Sequence, residues 1–498
     1  MRVAASTLGS FVAAAAIAGL ALAPGTPAPA AGAPAPSWPQ PRYDAAGTGY
    51  NPQETQLGVH TVGKLVTRAT TALGRPYSAA PPVVADGMVF VTSYFSNGGQ
   101  PGEIEAFPET CGAPHGLSCT PVWKAFVSTD DSMGVTIAGG KVFANTIAVN
   151  YRKETDHQKL WVFSVHCASG GATCSPLWTT TMPGYTDADE APTVAGGMFY
   201  VPHGAVGHAF LDAFPVACST GCQPTWRGQL VSGADASATV ADGYVYVPDY
   251  DGNLYAFKAA CASHDRVCTP AWAGNVGEGG PRGAAAAGGL VFIGSQNGNL
   301  YAFKARGCGG ARTCLPVWTD HTRSGANILA QPAVGYGLVY ITNYADGFLY
   351  AFPQHCATLS CKPVWKAFLA PKELSSPAVA NGVVYVATGG GPPRVFLPIP
   401  SHGHLPARDG PSRRGQATGS LAAGTGSLTA VTGSLTTAID AFSATCATGG
   451  ATCSPLWQGS GGSYYSPSGP VVAGGELWGT GGPHNGPADL YAFGLPVP

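Results

Sequence analysis

One four-residue pattern returns along the whole chain and limits what it can become. Leu254-Tyr255-Ala256-Phe257 recurs almost unchanged from Leu300, Leu349 and Leu490, and looser copies start at Ile104, Leu160, Leu211 and Ile439. The spacing, about 45 residues in the regular stretches, is that of propeller blades. Each copy sits in the same four-part unit. A strand of small residues comes first, as at residues 284–287. A tight turn follows, such as Asp86-Gly87, Gly139-Gly140, Asp242-Gly243 or Asn381-Gly382, and these pairs suit the positive φ angles of two-residue hairpins. A Val/Tyr/Phe strand is next, then the tetrad strand. A loop bounded by two cysteines leads to a fourth strand marked by Pro-x-Trp.

Packing explains the pattern. Small first strands let the blades converge on a central axis, and a tetrad apolar on both faces fits between two neighbouring sheets. The repeated tryptophans, from Trp123 and Trp178 to Trp457, would fill the space between blades. Eight first strands and eight tetrads stand against seven Cys pairs and seven Pro-x-Trp strands. The missing strand is expected from the N-terminal part, at residues 62–69 (VGKLVTRA). The expected fold is all-β, an eight-bladed β-propeller of four-stranded antiparallel blades over residues 38–498, with the last blade closed by an N-terminal strand. Closure of that kind leaves no open sheet edge between the two ends.

The 14 cysteines fall into close pairs, one per repeat: Cys111/Cys119, Cys167/Cys174, Cys218/Cys222, Cys261/Cys268, Cys308/Cys314, Cys356/Cys361 and Cys446/Cys453. They read as seven disulfides, each adding at most about 2–3 kcal/mol through chain entropy. Zinc is the rival reading; the pairs lie in separate repeats and no histidines stand at ligand spacing. Disulfides imply an oxidising compartment. Residues 1–30 read as a signal peptide, with Arg2, an apolar core over residues 8–22 and the small residues Ala28 and Ala30. An uncleaved membrane anchor is the alternative, because that stretch is long enough to span. Residues 31–37 are an Ala/Pro linker. A net charge of -2, with charged residues at only 10%, argues against a nucleic-acid partner.

The repeats A-x-G-x-V-Y-V and G-x-L-Y-A-F resemble the PQQ-type repeats of quinoprotein alcohol dehydrogenase-like propellers. The opening Trp38-Pro39, Arg42-Tyr43-Asp44, Thr48-Gly49 and Asn51-Pro52 resembles the entry segment of that superfamily. The superfamily contains enzymes and pure scaffolds. For its enzymes the resemblance implies a quinone and Ca2+ over the channel mouth. The adjacent Cys-Cys pair and the Cys-x-x-Cys-His haem motif of those enzymes are absent here. Their calcium ligands and catalytic Asp are not matched residue by residue.

Aligning the first strands on their turn glycines places mostly Ala, Ser, Pro and Gly at the channel mouth. The exceptions are Asp189 and Glu190 in blade three, Asp235 in blade four, Arg282 in blade five and, one step deeper, Gln331 in blade six. These are the ligand-binding candidates. A carboxylate cluster there could hold a hard cation or perform acid–base work; an ion-pair network around Arg282 is the plainer reading. Residues 389–436, with three TGSL repeats, form an insertion between the second and third strands of blade seven and read as a flexible loop. The function expected is an exported, monomeric binding or scaffold propeller without catalysis, holding a protein or cell-envelope partner. The alternative is an exported quinoprotein-type oxidoreductase binding PQQ and Ca2+ at the mouth. A polysaccharide-degrading propeller rests on fold analogy alone.

Overall fold

A computed structural model describes residues 37–76, 78–94, 101–111, 118–127, 134–148, 157–183, 191–204, 209–234, 236–261, 267–277, 283–321, 330–369, 374–389, 438–460, 469–481 and 487–496. The stretch expected to be a signal peptide, residues 31–36 of the expected linker and residues 390–436 of the expected insertion lie outside them. Residues 36–498 make up one compact unit, built as eight sheets. Blade four shows the plan: Thr239–Ala241, Tyr244–Pro248, Asn253–Lys258 and Trp272–Asn275 run antiparallel in that order. The first hairpins turn through positive φ at Asp86, Asp242, Tyr336 and Asn381, each followed by glycine. That is the backbone their sequences favour.

The tetrad strands are buried on both faces; Leu254, Ala256 and Phe257 are fully buried. Outer-strand tryptophans, Trp178 excepted, bond the next blade. Trp123 Nε1 donates to Val165 O, Trp226 to Ala259 O, Trp272 to Ala305 O, Trp318 to Gln354 O and Trp365 to Ala444 O. Each acceptor follows the tetrad phenylalanine of the next blade by two residues, and that ring packs on the indole, at 6.0 Å for Trp272 and Phe303. A buried indole N–H thus finds a partner while the ring seals the seam.

The eighth blade is made from both ends of the chain. Val471–Ala473, Glu476–Gly481 and Pro487–Gly494 supply its first three strands, and Val66–Pro76 is the fourth. The closing strand therefore starts later than residues 62–69. Val62–Lys64 is a short 3-10 turn instead. Thr61 Oγ1 accepts the Gly58 N–H and Val62 N donates to Gly58 O, so the chain is already turned there. Leu65 O then takes the Trp457 indole, which completes the seam series. In blade seven, Val383–Thr388 pairs directly with Ala438–Ser443, so the insertion does join its second and third strands.

The cysteines are joined as Cys111–Cys119, Cys167–Cys174, Cys218–Cys222, Cys261–Cys268, Cys308–Cys314, Cys356–Cys361 and Cys446–Cys453, the expected connectivity. Their loops also cover sheet edges. Ala172–Thr173 of the blade-two loop pairs in parallel with the outer strand of blade one. Val267–Cys268, Thr313–Cys314 and Ala451–Thr452 do the same for blades three, four and six. A single bridge, Thr319 with Ser360, serves blade five. An edge strand left bare is open to unwanted pairing, so these loops guard their neighbours.

Cys119 makes a contact beyond its disulfide. Its sulfur is bonded to Cys111 as expected, but its backbone N–H donates to Thr71 Oγ1 at 2.9 Å. Thr71 lies in the closing strand of blade eight, which ends its sheet. The blade-one loop therefore meets its neighbour through a side chain, where the loops above meet theirs through the backbone. The physical reason lies in the closing strand, whose register slips between Thr67 and Ala69 and again between Ala72 and Pro76. An irregular strand does not present the even row of outward groups that a parallel partner needs.

Candidate functional site

The channel axis is where a propeller with small inner strands could hold a ligand, and here its wall is bonded to residues 38–51. The segment visits the blades in order. Trp38 exchanges both backbone hydrogen bonds with Val84 of blade one, at 2.7 and 2.9 Å. Pro39 O accepts Ile137 N of blade two. The Gln40 amide bonds both backbone groups of Val194 in blade three. Ala45 O, Ala46 O, Thr48 O and Gly49 O accept the amides of Val240, Ala286, Val334 and Val379, in blades four to seven. Asn51 Nδ2 donates to Val472 O of blade eight at 2.8 Å.

Every wall residue in that series stands three places before the glycine that ends its two-residue turn. The inner strand has no neighbour on its axial side, so one backbone group per blade would lack a partner; the segment accepts an N–H in blades one to seven and donates to the Val472 carbonyl in blade eight. We call residues 38–51 the axial plug.

The plug holds its own shape. Asp44 accepts the Thr48 N–H on Oδ1 and the Thr48 hydroxyl on Oδ2, both at 2.9 Å. Burial pushes the Asp44 carboxyl up, and the Thr48 hydrogen bonds oppose that. Arg42 O accepts both Asp44 N and Gly49 N, and Arg42 Nη2 donates to Pro332 O. Gly49 has φ +58°, and a Cβ there would collide with the Arg42 guanidinium. Thus Trp38, Arg42, Asp44, Thr48, Gly49 and Asn51, the residues of the opening motif, have structural partners on the axis.

Of the five mouth candidates, Asp189, Glu190, Asp235 and Arg282 lie outside the described residues. Gln331 is buried, 4% exposed, in the wall between blades five and six. Its Nε2 donates to Ala284 O at 2.5 Å, its backbone N–H donates to Ser376 Oγ, and its Oε1 has no hydrogen-bond partner. Its Nε2 also lies close enough to Gly47 of the plug to leave no room for a Cβ. Threonine hydroxyls lace the same wall: Thr136, Thr193 and Thr239 donate to Pro192 O, Ala238 O and Ala284 O of the following blade.

Of the residues expected to hold PQQ and Ca2+, Gln331 alone is described, and its amide is bonded to the wall. Calcium takes about 6–8 oxygen ligands; among the described residues no three of His, Cys, Asp and Glu gather as a metal-ligand set. Gln331 offers one oxygen. No chemical step is derived through either group. On the face carrying the second-to-third-strand loops, two carboxylates have local partners. Asp249 accepts from Asn253, and Asp346 Oδ2 accepts the Tyr350 hydroxyl at 2.6 Å.

A second charged cluster was not foreseen. In blade three, Asp212 replaces the tetrad tyrosine. Arg227 Nε donates to its Oδ1 at 2.6 Å and Nη2 to its Oδ2 at 2.7 Å, while His203 Nε2 stands 2.9 Å from Oδ2. Burial alone would raise the Asp212 carboxyl, but Arg227 and His203 outweigh it and hold it below the ordinary range. His203 is fully buried, so the group is a packed ionic bridge between strands. The signal was legible: where the tetrad carries Glu105, Asp212 or Asp440, the facing outer-strand residue is Lys124, Arg227 or Gln458. Elsewhere that pair is an aromatic against Thr, Ala or Lys.

No protein-family model matches the chain, and no curated protein matches it. Solved structures share the fold. BamB from Moraxella catarrhalis is similar at 13% identity and TM-score 0.51, over 86% of this chain and 97% of that one. The computationally designed Ika8 protein is similar at 8% identity and TM-score 0.54, over 85% and 99%. Quinohemoprotein alcohol dehydrogenase ADHIIG from Pseudomonas putida HK5 is similar at 11% identity and TM-score 0.56, over 93% and 80%. At these identities the likeness is one of fold: an eight-bladed β-propeller architecture shared by an enzyme and by a designed protein alike.

Proposed function

We propose that this chain is an exported, disulfide-bonded propeller of the PQQ-like repeat type that works by binding, without chemistry of its own. Its partner is a protein or another component of the cell envelope, held on the face that carries the second-to-third-strand loops. The observation that supports this is the axial plug: the chain's own residues take up inner-wall backbone groups of all eight blades around the axis, and Asp249 and Asp346 on that face have partners within their own hairpins. Seven disulfides suit an oxidising compartment. No helix among the described residues is long and apolar enough to cross a membrane.

Two measurements test the reading. Purified protein is incubated with PQQ and Ca2+, desalted and melted; unchanged melting and no retained quinone absorbance are expected. A raised melting temperature with the quinone band retained would replace this function with the oxidoreductase one. A photo-cross-linker at exposed Asp251, on the proposed face, should capture a defined envelope component in the exporting cell. The same group at Asp86, at the opposite end of a blade, should not.

A further inference from the structure

The outer edge of blade two differs from its equivalents. In blades one and three to six, the residue after the tryptophan turns its backbone outward and is met there by the next cysteine loop. Lys124 O accepts Cys174 N, Ala273 N donates to Arg312 O, and Lys366 O accepts Cys453 N. Thr319 makes both contacts, donating to Leu359 O at 2.8 Å and accepting from Cys361 N at 3.3 Å. Arg227 pairs with Val267 in the same parallel sense. Blade seven has no cysteine loop after it, and the turn before the closing strand lies beside its outer strand through the Trp457 bond to Leu65 O.

In blade two that position is Thr179, in the strand Trp178–Pro183. Its register matches: Thr179 faces Trp161 as Ala273 faces Tyr255 and Thr319 faces Tyr301. The sheet nevertheless ends at this strand. The loop that should cover it is the shortest of the seven, Cys218–Cys222 with a separation of 4, against 7 for Cys167–Cys174. It closes on itself, Cys222 N donating to Ser219 O. Among the described residues nothing pairs with the outward N–H and C=O of Thr179.

The strand also lacks the usual protections of an edge. Thr179, Thr180 and Thr181 are uncharged and β-branched, Pro183 comes only at the end, and the register with the neighbouring strand has no shift. Leu177, beside it, is 54% exposed. Three of the covered edges carry a cation, Lys124, Arg227 or Lys366, at the position of Thr179.

We propose that this edge docks an extended segment of a partner protein, which adds to Trp178–Pro183 as a short parallel strand where other blades place a cysteine loop. Strand addition of this kind draws its affinity from main-chain hydrogen bonds. The occupant's form is read from the covers already in the molecule: two to three extended, uncharged residues running parallel, with Leu177 available to an apolar neighbour. The edge is on the rim, so the inference goes beyond the face reading above and stands independently of it.

The test uses the full chain and a disulfide-closed peptide copying residues 167–174 (CASGGATC), the loop that covers blade one. Without peptide, the Thr179 and Thr181 amides should exchange with deuterium at least about tenfold faster than Ala273 and Thr319. Millimolar peptide should slow them. Thr179→Pro removes an outward N–H and no ladder bond, which an edge tolerates; melting should hold while peptide binding weakens about tenfold. Thr181→Pro repeats the test if that variant fails to fold. Equal protection of Thr179 and Ala273 in the free protein, no protection at millimolar peptide, or unchanged binding by both proline variants would overturn the proposal. Protein-concentration-dependent protection of the same amides without peptide would assign the edge to a second copy of this chain instead.

Discussion

The seam between blades two and three and the seam between blades four and five are built from the same repeat and solved differently. At the regular seam, Trp272 bonds Ala305 O, Thr313–Cys314 covers the outer edge, and a tyrosine, Tyr301, fills the tetrad. At the irregular seam the Trp178 indole N–H has no hydrogen-bond partner among the described residues, and the equivalent carbonyl, Val216 O, is taken by Lys141 Nζ at 3.0 Å. Among the described residues no loop covers the edge, and the tetrad holds Asp212. In a repeat protein the regular seams hold the ring and the departures mark where something else is accommodated. Three changes clustered on one seam therefore carry more meaning than any of them singly.

The comparison can be broken first at the indoles. Trp272→Ala should cost about 3–5 kcal/mol. Trp178→Ala should cost about 1 kcal/mol less, because no hydrogen bond is lost with the ring. Urea unfolding of the two variants measures the difference, and equal losses would remove the contrast. Asp212→Ala leaves a guanidinium and a buried imidazole without their anion, and should destabilise by about 3 kcal/mol. A cycle with Arg227→Ala should return a coupling of about 1–3 kcal/mol; a coupling near zero would make the ionic bridge incidental to the seam.

The closing seam between blades eight and one offers a pH readout that the other two do not. Burial raises Glu105 to about 7, against the opposing Gly74 N–H. Burial likewise raises Glu476 to about 7, opposed by Arg68 and reinforced by Glu109. A raised carboxyl binds its proton more tightly in the folded state, so stability falls as pH rises from the unfolded value, 4.5, to about 7. Asp212, held low, acts in the opposite sense and only in more acid solution. Stability to urea should therefore be higher at pH 5 than at pH 8. Glu105→Gln with Glu476→Gln should flatten that slope, whereas Asp212→Asn should leave it. The smallest effect concerns the covers: reducing the disulfides should speed exchange at Ala273 and Thr319 severalfold and leave Thr179 unchanged.

Much of the fold could be read from the chain because the repeat states the same local arithmetic many times. Turn pairs such as Asp242-Gly243 demand positive φ, and the unbroken apolar run of residues 254–257 demands burial on both faces. Counting the parts exposed one missing strand and its source. The closing strand starts later than its apolar pattern suggests because Gly58 and Thr61 turn the chain before Val66, and a short turn carries the same apolar residues as a strand. Cys119 was legible as a disulfide half but not as a donor to Thr71, because that contact needs the closing strand already in place. The Asp212–Arg227 bridge was legible as a paired departure from the tetrad and was passed over. The mouth cluster was assembled from register alone; of its members Gln331 is described, and its amide is bonded to the wall.

By itself the sequence determined the number of blades, the hairpin turns and the disulfide partners, since each depends on residues a few places apart. Only the tertiary structure decided what occupies the axis and which edge lacks a cover. Asn51 meets Val472 across 421 positions, and among the described residues Thr179 has no cover because a loop some 40 residues later is too short to reach it. Contacts of that separation exist only once the ring has closed, and no local pattern of residue types encodes them.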